Sequence, residues 1–124
     1  MFVGLDFDGT VVTHDFPDIG KDIGAISWLL KIQEAGGRII LNTMRSGESL
    51  VAAVQFLEDQ GVELYGVNQN PSQTSWTSSP KVYAHVYIDD AAFGCPLIFP
   101  DNGKRPYVDW NIVGPGILEK LKNK

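Results

Sequence analysis

At 124 residues and 13.6 kDa the chain has the length of one domain, and residues 1–124 are read as such. A composition that is 44% hydrophobic and 20% charged excludes a fibrous or disordered chain. Ten Lys and Arg against fifteen Asp and Glu leave −5 and a pI near 4.8, which argues against a general electrostatic grip on nucleic acid. The single cysteine, Cys95, excludes an internal disulfide, and no Cys/His cluster offers a zinc site.

The chain opens with MFVGLDFDGT, which lacks a basic n-region and has Asp6 inside its apolar run, so it does not read as a signal peptide. No stretch approaches the roughly 18 apolar residues of a spanning helix. A cytoplasmic protein without membrane contact is the expectation. Phe2–Phe7 reads as the first strand, cut off by Asp8-Gly9-Thr10, and residues 11–20 as a loop or small flap punctuated by Pro17 and Gly20. A helix is predicted from about Asp22, a plausible N-cap, with Ile23, Ile26, Leu29, Leu30 and Gln33 at helical spacing and Gly36-Gly37 as its stop.

Arg38–Leu41 is a second, buried strand ending at Asn42-Thr43. Ser46 can cap a second helix with the stripe Leu50, Val51, Val54 and Leu57, closed by Gly61. Val62–Val67 is a third strand, and the polar stretch Asn68–Pro80 a long loop of the kind that often carries function. Val82–Ile88 forms a fourth strand running into Asp89-Asp90, and Leu97–Phe99 a fifth before a Pro100–Gly103 turn. Gly114-Pro115 is read as the start of a C-terminal helix with proline at its first position. The alternation of strands and helices predicts a three-layer α/β/α sandwich around a mostly parallel, Rossmann-like sheet.

The polar residues fall in a telling pattern. Asp6 and Asp8, Thr43, and the pair Asp89-Asp90 each stand at the end of a strand, and the carboxyl ends of parallel strands share the edge where open α/β sheets bind ligands. Turn chemistry accounts for Asp8-Gly9 taken alone, but aspartate is poorly suited to the strand position of Asp6, between Leu5 and Phe7. Two unit charges about 5 Å apart repel by roughly 3 kcal/mol at an effective dielectric near 20. Four such acids with Lys81 beside them carry −3, and one divalent cation brings the site to −1. Protonating one acid then neutralises it, which lets a phosphate dianion approach and supplies a general acid. Oxygen ligands beside phosphate favour Mg2+.

The sequence resembles the haloacid dehalogenase superfamily of aspartate-nucleophile phosphatases, and is similar to its small capless members. Asp6-Phe7-Asp8-Gly9-Thr10 matches the first motif, Leu41-Asn42-Thr43 resembles the second, Lys81 the third and Ile88-Asp89-Asp90 the fourth, so the likeness spans residues 2 to about 90. The resemblance implies a Mg2+-dependent phosphomonoesterase with Asp6 as nucleophile and Asp8 as general acid and base. Thr43 and Lys81 would hold the transferring oxygens, Lys81 also offsetting the charge of Asp6. It implies a metal held by the Asp6 carboxylate, the Asp8 main-chain carbonyl and Asp89. Asp90 is open between direct ligand, water-mediated ligand and partner of Lys81. Neither insertion point, Asp8 to Thr43 or Thr43 to Lys81, leaves room for a cap, so the crevice should be open, suited to a bulky substrate or completed by a homo-oligomeric partner.

Gly9, Thr10, His14, Met44, Arg45 and Trp76 are the further candidate substrate contacts. His14 also reads as an exposed flap residue, Arg45 as a solvated one, and Trp76 as a residue that either stacks on a base or sugar or pins its loop. His85 reads as a strand residue, Trp28 as helix packing, Cys95 as a small hydrophobe, and Tyr107, Asp109 and Trp110 as anchors of the C-terminal segment. Charge favours a small substrate such as a sugar phosphate or nucleotide, and the missing cap a large one such as a polynucleotide end. The alternatives are a non-catalytic binding domain and a phospho-receiver domain. The latter should carry its acceptor aspartate after the third strand, where this chain has Val67-Asn68.

Overall fold

The computed structural model describes residues 1–123. Short apolar runs become strands and amphipathic stretches become helices, in the order β1 (Phe2–Leu5), α1 (Ala25–Glu34), β2 (Arg38–Leu41), α2 (Gly47–Asp59), β3 (Leu64–Val67), a 3₁₀ turn (Pro71–Gln73), β4 (Val86–Ile88), β5 (Leu97–Ile98), β6 (Tyr107–Val108) and α3 (Trp110–Lys122). Four strands form a parallel sheet in the order β3-β2-β1-β4, while β5 and β6 make a separate antiparallel pair. The fold is the expected Rossmann-like three-layer α/β/α class. No helix of the described residues is long and apolar enough to cross a membrane.

Handedness explains the layering. Stepping from β1 to β2 to β3 in one direction puts α1 and α2 on the same face when both crossovers are right-handed. The return from β3 to β4 reverses direction and so passes over the other face. The residues agree. Val3, Leu5, Ile39, Leu41 and Ile88 join a core with Leu29 and Ile32 of α1, Ala53 and Leu57 of α2, and Trp110 and Ile117 of α3. The opposite side of the sheet carries the row Gly66, Ile40, Gly4 and Tyr87, in register across all four strands. A Cβ on Gly66 would run into the Gln69 carbonyl and Pro71, and one on Gly4 into the Tyr87 ring. Residues 68–85, with the 3₁₀ turn, therefore form the outer layer there.

Several boundaries differ from the sequence reading. The first, third and fourth strands are shorter than expected, because the ladder ends where Asp6 leaves the first and begins only at Leu64 and Val86 in the other two. Asp22 does act as a cap, but ahead of the helix: its Oδ1 accepts the main-chain N–H groups of Gly24, Ala25 and Ile26 at 3.0, 2.8 and 3.4 Å. Ser46 sits at the start of α2 without a side-chain cap bond, and Val51 is 67% exposed while Ala53 takes the buried position. The fifth strand pairs with β6 outside the main sheet.

The C-terminal helix begins four residues before Gly114, with Pro115 in its interior. Asp109 caps it through a bond from Asn111 N–H at 3.0 Å, so the proline is not needed as a start signal. Gly114 lacks the Cβ that would crowd the ring of Pro115, and both Pro115 and Asn111 are exposed, so water can serve the carbonyl that the proline leaves without a donor. The same absent Cβ lets Trp28 of α1 lie against α3.

Candidate active site

Three of the four strands, β1, β2 and β3, extend their ladder by one bond past their end. Asp6 N–H reaches the Ile88 carbonyl at 3.0 Å, Asn42 N–H the Leu5 carbonyl at 2.7 Å, and Asn68 N–H the Leu41 carbonyl at 2.6 Å. These bonds fix where the chain leaves the sheet, and hence where the first side chain beyond it lies. Asp6 and Asp89 emerge from neighbouring strands β1 and β4, the point at which the strand order reverses.

Asp6, Asp89 and Asp90 each bring a carboxylate oxygen within 4.8 Å of the others. Thr10 binds this cluster together: its hydroxyl donates to Asp6 Oδ2 at 2.9 Å and accepts the Asp90 N–H at 3.0 Å. Thr10 is fully buried, and its carbonyl accepts the indole N–H of Trp110 at 2.6 Å. Trp110 thus ties the start of α3 to the turn that follows Asp6 and Asp8, in keeping with its reading as an anchor of the C-terminal segment. Burial is the largest influence on Asp6 and, with the Asp89 charge and a hydrogen bond to Asp90, raises its pKa from 3.8 to about 7 against the lowering bonds from Thr10 and the Phe7 backbone. A cleft of about 390 Å³, lined among others by Asp6, Asn42, Lys81, Tyr87 and Asp89, opens beside the cluster.

The fourth expected carboxylate is elsewhere. Asp8 faces the guanidinium of Arg45, whose Nε and Nη2 donate to its two oxygens at 2.8 and 2.7 Å. Arg45 is neither solvated nor turned to a substrate. It is 3% exposed and also donates to the carbonyls of Pro17, Asp18 and Ser49, between the rings of Phe7 and Phe16. One side chain thereby ties the flap, the first turn of α2 and the first acidic motif together. Charge, five donors and three carbonyls from two segments explain the location, and the position two residues past Thr43 was the available sequence signal.

His14 is likewise no free flap residue: its Nε2 lies 2.9 Å from Asp90 Oδ2. Gly9 makes that approach possible, since its φ is +78° and a Cβ there would run into the His14 ring and the Asp90 carboxylate. Asp90 is therefore partnered by His14 and Thr10, not by Lys81. Lys81 is exposed on the cleft wall, 5.9 Å from the centre of the Tyr87 ring, and makes no ion pair among the described residues, so it does not offset the Asp6 charge directly.

Thr43 sits next to cleft-lining Asn42. Its N–H donates to Asn68 Oδ1 at 2.8 Å and its hydroxyl accepts the Arg45 N–H at 3.1 Å. Asn68, at φ 53°, was not among the expected site residues. Met44 is 98% exposed, and Trp76, 62% exposed, stands edge-on to Tyr83 within the same outer segment. His85 stacks on Phe2 and accepts that residue's N–H. Burial pushes the Cys95 thiol up, in keeping with a packing residue.

The chain is similar to a solved structure of a conserved protein from Bacteroides thetaiotaomicron, with 34% identity over 97% of this chain and 91% of that one, and a TM-score of 0.78. The protein belongs to the same family as that conserved protein. No protein-family model matches the chain, and no curated protein does.

Proposed function

We propose that the protein is a Mg2+-dependent phosphomonoesterase of the haloacid dehalogenase type, acting through an aspartyl-phosphate on Asp6. The observation that carries this reading is the convergence of Asp6, Asp89 and Asp90 at the carboxyl edge of the sheet. The donor set fits the ion: all the candidate ligands are hard oxygens, and burial together with the neighbouring Asp89 charge raises the proton affinity of Asp6. Asp6, Asp89 and the Asp8 main-chain carbonyl would hold Mg2+, with Asp90 as a further ligand. When bound, the ion neutralises charge and polarises the phosphoryl oxygens.

In this scheme an Asp6 oxygen attacks phosphorus, the ester P–O bond breaks, and the leaving alkoxide takes a proton. Water then cleaves the acyl phosphate, releasing inorganic phosphate and restoring Asp6. The Thr10 hydroxyl holds the attacking carboxylate in place, and Thr43 and Lys81 flank the path of the transferring oxygens. Asp8, the proton donor by resemblance, must leave Arg45 to serve the leaving group.

That ion pair also favours a second reading. With Asp8 held by Arg45, Asp6 would accept a phosphoryl group and keep it, as a receiver or binding domain does. The two are separated by incubating the protein with Mg2+ and p-nitrophenyl phosphate, phosphorylated metabolites, nucleotides and end-phosphorylated oligonucleotides, with Asp6→Asn as the blank. Many turnovers per chain, silenced by EDTA, support the hydrolase. One stable phosphoryl group per chain supports the receiver. Neither outcome in any arm overturns both.

A further inference from the structure

The cations of this acidic chain are not spread evenly around the site. Between the flap and the turn joining β5 to β6 lies a second cleft of about 550 Å³, whose lining includes His14, Asp15, Lys21, Lys104 and Arg105. Its three cations against one carboxylate leave the lining at +2 with His14 neutral, in a protein of net charge −5. Asp15 is engaged by the Thr13 hydroxyl at 2.6 Å, and Lys21, Lys104 and Arg105 form no ion pair among the described residues.

The backbone around these cations is tied down. Thr13 and Lys21 exchange two bonds across the flap: Thr13 N–H to the Lys21 carbonyl at 2.9 Å, and Lys21 N–H to the Thr13 hydroxyl at 3.0 Å. Asn102 Oδ1 accepts the Lys104 N–H at 3.1 Å, and the Val108 N–H reaches the Gly9 carbonyl at 3.0 Å, docking the β5–β6 pair on the acidic turn. His14 belongs to both places, lining this cleft and bonding Asp90 in the carboxylate cluster. The basic cleft thus starts where the acidic cluster ends.

We propose that this cleft binds a second anionic group of the substrate, so that the molecule accepted at Asp6 is a small bisphosphate rather than a simple monophosphate. The inference rests on the phosphoryl-transfer reading for the first phosphate, while the cleft itself requires only an anion. A cleft this size admits one phosphate and its sugar, and the −5 charge of the whole chain disfavours a polynucleotide.

The test is binding to the Asp6→Asn protein with Mg2+, which needs no turnover. Calorimetric titrations compare fructose 1,6-bisphosphate with fructose 6-phosphate, adenosine 3′,5′-bisphosphate with adenosine 5′-monophosphate, and a 5′-phosphorylated oligonucleotide. At least one small bisphosphate should bind on the order of tenfold tighter than its monophosphate, the scale of one or two charge-assisted contacts. Lys104→Ala with Arg105→Ala, both exposed on a turn, should abolish that advantage and leave monophosphate binding unchanged, and added salt should narrow it. Equal affinities within both pairs, or an advantage that survives the double substitution, overturn the proposal, as does a Lys104- and Arg105-dependent gain seen for the oligonucleotide alone. Failure of the wild-type protein to turn over any phosphoester, with the bisphosphate preference intact, overturns the hydrolase reading and leaves the anion cleft standing.

Discussion

Replacing Asp6 by Asn should make the metal-free protein more stable, although the residue lies at the centre of the site. In the folded chain Asp6 titrates near 7 rather than 3.8, because burial and the Asp89 charge disfavour its ionised form. The folded state therefore binds more protons than the unfolded state between about pH 4 and pH 7, and stability is lost as pH rises through that window. Moving a carboxyl from 3.8 to about 7 corresponds to on the order of 4 kcal/mol at neutral pH. The amide introduced by Asp6→Asn carries no charge to desolvate and keeps an oxygen to accept the Thr10 hydroxyl. For a chain of this size, about 4 °C per kcal/mol puts the expected gain in Tm at roughly 16 °C at pH 7.5. The assay is thermal unfolding of both proteins in EDTA from pH 4.5 to pH 8. The gap should open as pH rises and level off above pH 7. Equal Tm values at pH 7.5, or a gap independent of pH, would refute the electrostatic reasoning. Added Mg2+ should raise the wild-type Tm more than that of Asp6→Asn, which keeps Asp89, Asp90 and the Asp8 carbonyl as ligands.

Other substitutions test the scaffold around the site. Arg45→Met removes the bidentate partner of Asp8 and the donor to three carbonyls, and should cost about 3–5 kcal/mol in denaturant unfolding, with Arg45→Lys restoring little because an ammonium cannot reproduce the planar fork. Trp110→Phe forfeits the bond to the Thr10 carbonyl and should cost about 1–2 kcal/mol, together with any activity that depends on the placement of Asp6. Gly114→Ala would gain about 1 kcal/mol in an isolated helix, yet here it should destabilise, because the new methyl meets the Trp28 ring. A Gly114→Ala protein with unchanged or higher Tm would show that the α1–α3 contact yields easily.

How much of this was legible beforehand depends on whether a feature follows from local rules. Asp6, Thr43, Asp89 and Asp90 could be assigned to one edge from the chain alone, because parallel pairing forces every strand to end on the same side and each residue lies within two positions of a strand end. Asp22 as a helix cap and Trp110 as an anchor were legible for similar reasons of short-range chemistry. The start of α3 was not: Pro115 is a strong start signal by itself, and only the cap at Asp109 and the contact with Trp28 carry the helix through it.

The partners of the charged groups lay beyond any sequence pattern. Asp8 and Arg45 are 37 positions apart, and His14 and Asp90 are 76 apart. Their pairing depends on how the flap folds back over the turn, which is a matter of tertiary packing and of one glycine with room for no side chain. The separation of Asp8 from the other three acids, and the gathering of Lys21, Lys104 and Arg105 in one cleft, belong to the same category. Strand order and the edge that carries the acids follow from period and handedness, which are properties of the polymer. Which acid meets which base is decided only when distant segments compete for the same buried space, where an unpaired charge costs most.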